Sequence, residues 1–416
     1  MSRSNRSFVH WRKFAVAALY TGSLLYLLFQ GGKLSGMMFV IFNVLIVYLW
    51  LGQWSGIRKV QGERTVGQVG GGEGQLFNGA SVEVSLNVRI PGLYPLPYVL
   101  VRDRIFRHDG QSIPFETSFV PNWKRSGEVR YSTPPLKRGI YRFAPTECTT
   151  KDVFGLFEHS GAFSSGEPFS VAPQTVPLRG WQQIRRGLRG PHSHASAPRA
   201  AKETTQINGV REYLHGDKLS RIHWNATAKT GEWKSKAFER ESLPRTIVVL
   251  DRHLEAYGIR QERFELAVSV ASSLIELGMR HETAMGIVSP GEKPLVVLPR
   301  AGAEQRVTIT SHLTVVEPDA ATPLFVSLQR LETVWEPGTL VIVVSGAQGD
   351  DMLRALNWLS RKGVTVSYIG VDEGDARIGR AIKPAWLHAL RSRGWSAYSV
   401  RQLQELPGVL EGGGVS

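Results

Sequence analysis

Residues 211–241, REYLHGDKLSRIHWNATAKTGEWKSKAFERE, hold the densest run of specialised side chains in this sequence. Basic and aromatic residues interleave there: Arg221, His223, Trp224, Lys229, Trp233, Lys234, Lys236 and Phe238. Glu212, Asp217, Glu232, Glu239 and Glu241 lie near enough along the chain to pair with them. Gly216-Asp217 reads as a tight turn, because glycine accepts positive φ and aspartate can bond its own backbone. Arginine and tryptophan are common interface anchors, but this run spells no catalytic motif. Asp251, followed by His253 and Glu255, is the second candidate. Side chains at i, i+2 and i+4 share a face only on a strand, and the residues after Asp251 read as a loop, so spacing alone builds no acid–base cluster. The chain has no Gly-x-Ser-x-Gly, no phosphate-binding loop, no His-Glu-x-x-His and no dinucleotide fingerprint after a strand. Its one cysteine, Cys148, excludes an intramolecular disulfide and a Cys-x-x-Cys zinc site, and reads as a small buried apolar residue. These absences argue against an enzyme.

The elements that must position those residues fall into four parts. Residues 1–57 read as a transmembrane hairpin behind a basic tail: 14–29 and 34–54 are apolar with few polar breaks, and the connector at 30–33 allows only a tight turn. Residues 58–177 read as all-β. Strands are expected at 81–90, 98–103, 128–131, 139–143 and 158–163, in a sandwich of about seven with an immunoglobulin-like arrangement. Glycines 70–72 and 74 read as a lead-in from the membrane or a loose hairpin. Residues 178–244 combine a polar, Arg-rich linker with the run described above. Residues 245–416 alternate between strands (246–251, 283–288, 294–298, 339–345, 365–371, 397–400) and helices (263–280, 302–310, 323–335, 350–362, 385–393). That alternation implies a mostly parallel sheet covered on both faces, with crevices at the carboxyl ends of its strands. Asp251, Ser345 and Asp372 fall at or just beyond such ends.

The net charge of +14 is not spread evenly. Residues 1–60 carry seven Lys or Arg and 179–202 carry six, with no acid in either, and together they supply 13 of the 14. The rest is nearly neutral, which makes the high pI weak evidence for nucleic-acid binding. The 179–202 run has the composition of a solvated linker or of a contact to anionic lipid headgroups. Arg3, Arg6, Arg12 and Lys13 precede the first span and Arg58, Lys59 and Arg64 follow the second, whereas the connector holds Lys33. The positive-inside rule then places both termini and the folded parts in the cytoplasm.

Arg211, Tyr213, Gly216, Asp217, Arg221, Ile222, Trp224, Ala228 and Lys229 fall at the spacing Arg-x-Tyr-x-x-Gly-Asp, a basic residue, Ile-x-Trp, then Ala with Lys or Arg. This run resembles the signature of the bacterial family named domain of unknown function 58. The pieces Arg138-Gly139-Ile140-Tyr141 and Asp152-Val153-Phe154-Gly155-Leu156-Phe157 resemble that family's other recurring run. The resemblance implies company with a MoxR-type AAA+ ATPase, hence an adaptor or scaffold role with the ATP chemistry in the partner. It also implies a von Willebrand factor A-like C-terminal domain. Such domains often hold Mg²⁺ through Asp-x-Ser-x-Ser after the first strand. Here Asp251 matches the aspartate while His253 and Glu255 replace the serines, so no cofactor is expected and Mg²⁺ is the weaker alternative. Within the signature, Trp224, Ile222 and Phe238 are expected either to pin the segment onto the C-terminal sheet or, with Asp217 and Arg221, to form a docking surface. Arg211–Asp217 and Arg221–Glu239 are the expected ion pairs.

Overall fold

Two apolar helices open the chain, α1 (Arg3–Gln30) and α2 (Lys33–Leu51). They turn at Gly31 and Gly32, whose φ angles of 57° and 98° favour glycine. Four polar side chains within the apolar runs are bonded back to nearby backbone carbonyls: Thr21 to Ala17 O, Ser23 to Tyr20 O, Ser35 to Gly32 O and Asn43 to Phe39 O. Helices in an apolar medium must satisfy such groups internally. Large apolar side chains such as Phe14, Leu28, Met37, Val40 and Val44 stay exposed in the protein, unlike those of a soluble core helix. By length and composition α2 can cross a bilayer, while the apolar part of α1, Val16–Gln30, is shorter.

The computed structural model describes residues 3–68, 74–92, 94–181, 202–214, 219–241, 245–258, 261–281, 283–372 and 382–411. The chain divides into two units, Met1–Ala172 and Pro173–Ser416.

In the first unit the helices are followed by two sheets. β1 (Gln61–Gln68), β3 (Val82–Arg89) and β6 (Ser126–Ser132) form one. The other runs β2-β10-β7-β4-β8-β9, with β5 (Ser112–Phe119) paired to β4 (Val99–Arg107). Its remaining members are β2 (Leu76–Phe77), β7 (Gly139–Phe143), β8 (Thr146–Lys151), β9 (Glu158–Phe163) and β10 (Phe169–Ala172). Val82, Val84, Leu86 and Val88 of β3 face Val99, Val101 and Ile105 of β4 in one core. A buried polar cluster ties the sheets together. Arg64 Nη2 lies 2.9 Å from both carboxylate oxygens of Asp103, Tyr131 OH donates to Asp103 at 2.6 Å, and the Arg64 guanidinium stacks 3.8 Å from the Phe143 ring centre. Cys148 is fully buried, and burial pushes its thiol up to about 12.

Among the described residues ten strands replace the expected seven or so. β1 escapes a search for alternating apolar residues because its one buried side chain is Arg64. Arg64 therefore does not flank the membrane span as a free charge. β1 also precedes the glycine run, so 70–72, which lie outside the described residues, are not the lead-in from the membrane.

In the second unit a six-stranded sheet runs β15-β14-β13-β16-β17-β18. The strands are β13 (Arg245–Leu250), β14 (Ala284–Ser289), β15 (Leu295–Arg300), β16 (Leu340–Ser345), β17 (Thr365–Val371) and β18 (Ser396–Val400). All neighbours are parallel except the β14–β15 pair. The continuous apolar run of β13 serves both faces: Val248 and Leu250 pack with Phe264, Val268, Ala271 and Leu274 of helix Glu262–Arg280, while Ile247 and Val249 pack with Leu356 and Leu359 of helix Asp350–Arg361. This is the sandwich that a parallel sheet requires.

Two expectations are corrected here. Leu178 and Trp181, assigned to the linker, are buried in this core at 3% and 1% exposure, so the strap from Pro173 belongs to the α/β unit. The helix expected at 323–335 breaks into Leu324–Gln329 and a 3-10 turn at Glu332–Val334. In the helix Asp350–Arg361 the N-cap is Gly349, and Asp350 and Asp351 sit in the first turn, where carboxylates favour the helix dipole.

Candidate functional site

Residues 202–241 fold into a separate ribbon and helix. β11 (Lys202–Glu212) pairs antiparallel with β12 (Lys234–Glu241), and helix Trp224–Thr230 is stitched to the start of β12. His223 caps that helix, its Nδ1 accepting the Ala226 N–H at 3.1 Å. Gly231, at φ 74°, ends it in the left-handed conformation. Two hydrogen bonds fix the helix to the ribbon: His223 N–H donates to Lys234 O at 2.8 Å, and Lys234 N–H donates to Thr227 Oγ1 at 3.0 Å. Ile222 bridges to Ser235, and both are buried, at 1% and 0% exposure.

With Ile222 as the inward anchor, Trp224 turns outward. It is 64% exposed and Trp233 is 53% exposed, so of the two expected roles Trp224 does not take the pinning one. The aromatic rings form a ladder, Trp224 to Trp233 at 6.3 Å and Trp233 to Tyr213 at 5.8 Å. Val210, Leu214 and Leu219 add exposed apolar surface. Lys234 is ringed by carboxylates, 3.1 Å from Glu232 and 3.7 Å from Glu212. Arg211 donates to Glu212 O at 2.9 Å, Arg221 is half-buried and Lys229 is exposed. Gly216 and Asp217 lie outside the described residues, as do the side chains of Phe238 and Glu239, and with them both expected ion pairs. Sequence reasoning placed Trp233 in the run but missed Val210, Leu214 and Leu219, because nothing in an apolar residue's identity says which face of a ribbon it takes.

The second candidate lies at the carboxyl ends of β13 and β16, where the sheet order reverses. Asp251 is 1% exposed. Its Oδ2 accepts the Ser345 hydroxyl at 2.6 Å and its Oδ1 accepts the His253 N–H at 3.0 Å. Ser345 Oγ in turn accepts the Ala347 N–H at 2.9 Å. Burial raises the Asp251 pKa above the ordinary carboxylate value, against the pull of the bonds from Ser345 and His253. The short helix Leu254–Tyr257 closes over the crevice. Tyr257 OH donates to Asp251 O at 2.7 Å, and the Ala256 carbonyl sits so close to Gly346 that a Cβ there would lie 2.4 Å from it. Arg263 locks the adjoining strand ends, donating to Val371 O at 2.9 Å and Gly346 O at 3.3 Å. Tyr257, Gly346 and Arg263 were not legible in the sequence. They work by long-range approach and match no motif.

These residues do not fit a Mg²⁺ ion. Among the described residues the donor set at this point is one carboxylate and one hydroxyl, already bonded to each other, whereas the ion needs several open oxygen ligands and water. Glu255 is exposed, and His253 bridges to Ala320. Among the described residues no group of three or more His, Cys, Asp or Glu is placed to hold a metal.

Residues 209–381 match the family described as "Protein of unknown function DUF58". Over 380 residues the chain is 24% identical to the "Uncharacterized protein YeaD" of Bacillus subtilis (strain 168), covering 89% of this chain and 90% of that one. Among solved structures, an aerotolerance-related membrane protein from Bacteroides fragilis is 15% identical, with a TM-score of 0.30 and coverage of 41% of this chain and 98% of that one. Proximal thread matrix protein 1 from the mussel byssus is 16% identical, with a TM-score of 0.28, and the chain spans 45% of its length. The signature residues from Arg211 to Lys229 lie inside the segment that matches the DUF58 family model.

Proposed function

We propose that this protein is a membrane-anchored adaptor. In this reading α1 and α2 both cross the membrane, with both termini and the folded units in the cytoplasm. The β unit is immunoglobulin-like and the α/β unit von Willebrand A-like. The observation that carries the adaptor role is the Trp224–Trp233–Tyr213 ladder, which is held at fixed geometry by Ile222 and the β12 hydrogen bonds yet left open to solvent. Rigid exposed aromatics beside arginine suit a protein interface, where such residues dominate binding energy. The partner is a MoxR-type AAA+ ATPase, implied by the family resemblance, and the ATP chemistry belongs to it. The strand order, with its antiparallel β15 edge, supports the von Willebrand A-like reading. The basic residues in the first turns of α1, ahead of its apolar part, with Arg58 and Lys59 after α2, support the cytoplasmic placement. The basic 179–202 run, largely outside the described residues, would add attraction to anionic headgroups.

The test is crosslinking in native membranes followed by affinity purification, with wild type, Trp224→Ala, Arg221→Ala and Asp251→Asn at matched expression. Recovery of an AAA+ ATPase that falls about tenfold for Trp224→Ala, the loss expected from a moderate anchor, and holds for Asp251→Asn supports the reading. Undiminished recovery in Trp224→Ala would remove the ladder from the interface. Recovery of envelope-synthesis proteins in place of any ATPase would favour a metal-dependent ligand-binding protein, which saturable Mg²⁺ uptake by calorimetry, lost in Asp251→Ala, would then have to support.

A further inference from the structure

The loop at 152–157, Asp-Val-Phe-Gly-Leu-Phe, joins β8 to β9 and ends against the helical hairpin. Val153 N–H lies 3.4 Å from Tyr48 OH, and the Phe154 ring meets Tyr48 edge-on at 6.2 Å. Phe157 lines a cleft of about 350 Å³ with Val16, Ala17, Tyr20, Asn43 and Ile46. Ile46 and Asn43 lie about one to two turns inside α2, and Tyr20 about one turn inside the apolar part of α1, counted from the end nearest the β sheets, with Val16 and Ala17 at its edge. At 1.5 Å per residue, Ile46 and Asn43 are roughly 8–12 Å inward of Leu51. A loop beside them occupies the depth that amphipathic interfacial segments reach, about 5–10 Å into the headgroup and acyl boundary.

The chemistry of the loop matches that depth. Val153 and Phe154 are 69% and 60% exposed. Exposed backbone N–H groups would bar such a loop from an apolar medium, but every amide from 153 to 157 is engaged. Asp152 folds under the loop and accepts three of them on its carboxylate: Phe154 N–H at 2.8 Å, Leu156 N–H at 3.2 Å and Phe157 N–H at 2.5 Å. Gly155 N–H donates to Asp152 O at 2.9 Å, and Val153 N–H to Tyr48 OH. The one charge in the loop is thus 8% exposed and turned inward, and the outer surface is apolar. Lys151 and Glu158, paired at 3.8 Å, flank the loop, and Trp50 and Trp54 meet in a tilted contact at 5.0 Å at the end of α2, where interfacial aromatics are common.

We propose that the 152–157 loop is a lipid-inserted wedge, in which Val153 and Phe154 seat among the acyl chains beside α2 and the Asp152 carboxylate serves as the internal cap that makes insertion possible. The inference rests on the membrane-anchor reading above, and its test separates the two. The full chain is placed in vesicles of phosphatidylcholine and phosphatidylglycerol, with an environment-sensitive thiol-reactive fluorophore at Phe154→Cys, at Val153→Cys as a second site, at Met38→Cys on α2 and at Ser112→Cys at the far end of the β4–β5 hairpin. Buried Cys148 stays unlabelled. Nitroxide-bearing lipids then report contact with acyl chains. The wedge predicts a blue shift and quenching at 154 and 153 comparable to position 38, with position 112 unquenched. Quenching at 38 without quenching at 153 or 154 overturns the wedge and leaves the span intact. A blue shift at 154 without quenching means that protein covers the loop, and also overturns it. No quenching at 38 overturns the span and the wedge together.

Discussion

At the carboxyl end of β13 the Asp251 carboxylate keeps 1% exposure under Tyr257, with both oxygens bonded, while on the ribbon–helix module Trp224 and Trp233 keep 64% and 53%. Both regions concentrate residues that invite a functional reading, and both are rigid. They differ in where the rigidity leaves the polar and apolar groups. The switch point is where doubly wound sheets commonly open a binding crevice. Here Ala256 and Tyr257 fill it, and the hydrogen bonds around Asp251 are satisfied within the fold. The module reverses this: its small buried pair, Ile222 and Ser235, supports an apolar face that nothing among its described contacts covers. An internally satisfied carboxylate needs no ligand, whereas a fixed exposed aromatic face gains free energy when a partner covers it.

The largest effect is expected at Gly346. Gly346→Val drives a side chain into the Ala256 carbonyl and should destabilise the α/β unit by about 3 kcal/mol, read as a lower thermal midpoint. A wild-type midpoint would mean that the crevice has room and the plug is loose. Ser345→Ala comes next. It leaves Asp251 Oδ2 buried without its hydroxyl donor, at a cost of about 1–3 kcal/mol in denaturant unfolding.

Asp251→Asn probes the same carboxylate through pH. Because burial raises its folded pKa, its contribution to stability is complete below the ordinary carboxylate range and is lost as pH rises through the raised value. The Asn variant lacks that loss, so its stability relative to wild type should improve from acid to neutral pH. An opposite slope would show a carboxylate stabilised in its charged form, as at an ion site. The smallest effect is expected at the open region: Trp224→Ala should change stability by less than about 0.5 kcal/mol, as exposed substitutions do. A larger loss would return Trp224 to the pinning role that its sequence position suggested.

Much of the fold was legible where one periodicity dominates. The β13 run, the helix around Phe264–Leu277 and the face of Val82–Val88 each carry an apolar pattern that only one element satisfies. β1 was invisible because its inward residue is Arg64, whose partner Asp103 is remote in sequence. The closing of the switch point was equally hidden, since it depends on Gly346 admitting a backbone that arrives from residue 256. In the signature, residue types identified an anchor and a surface but not which was which. Ile222 and Trp224 are both large and apolar, and only the pairing of Ile222 with Ser235 assigns the inward place.

The most direct test of the adaptor account is photocrosslinking from within the ladder in native membranes. A photoreactive phenylalanine analogue replaces Trp224 in one variant and Val307, equally exposed on helix Ala303–Val315, in another. The account predicts a discrete adduct containing an AAA+ ATPase from position 224 and none from position 307. Equal yields from both sites, or no adduct from 224 in cells that express the ATPase, would contradict it.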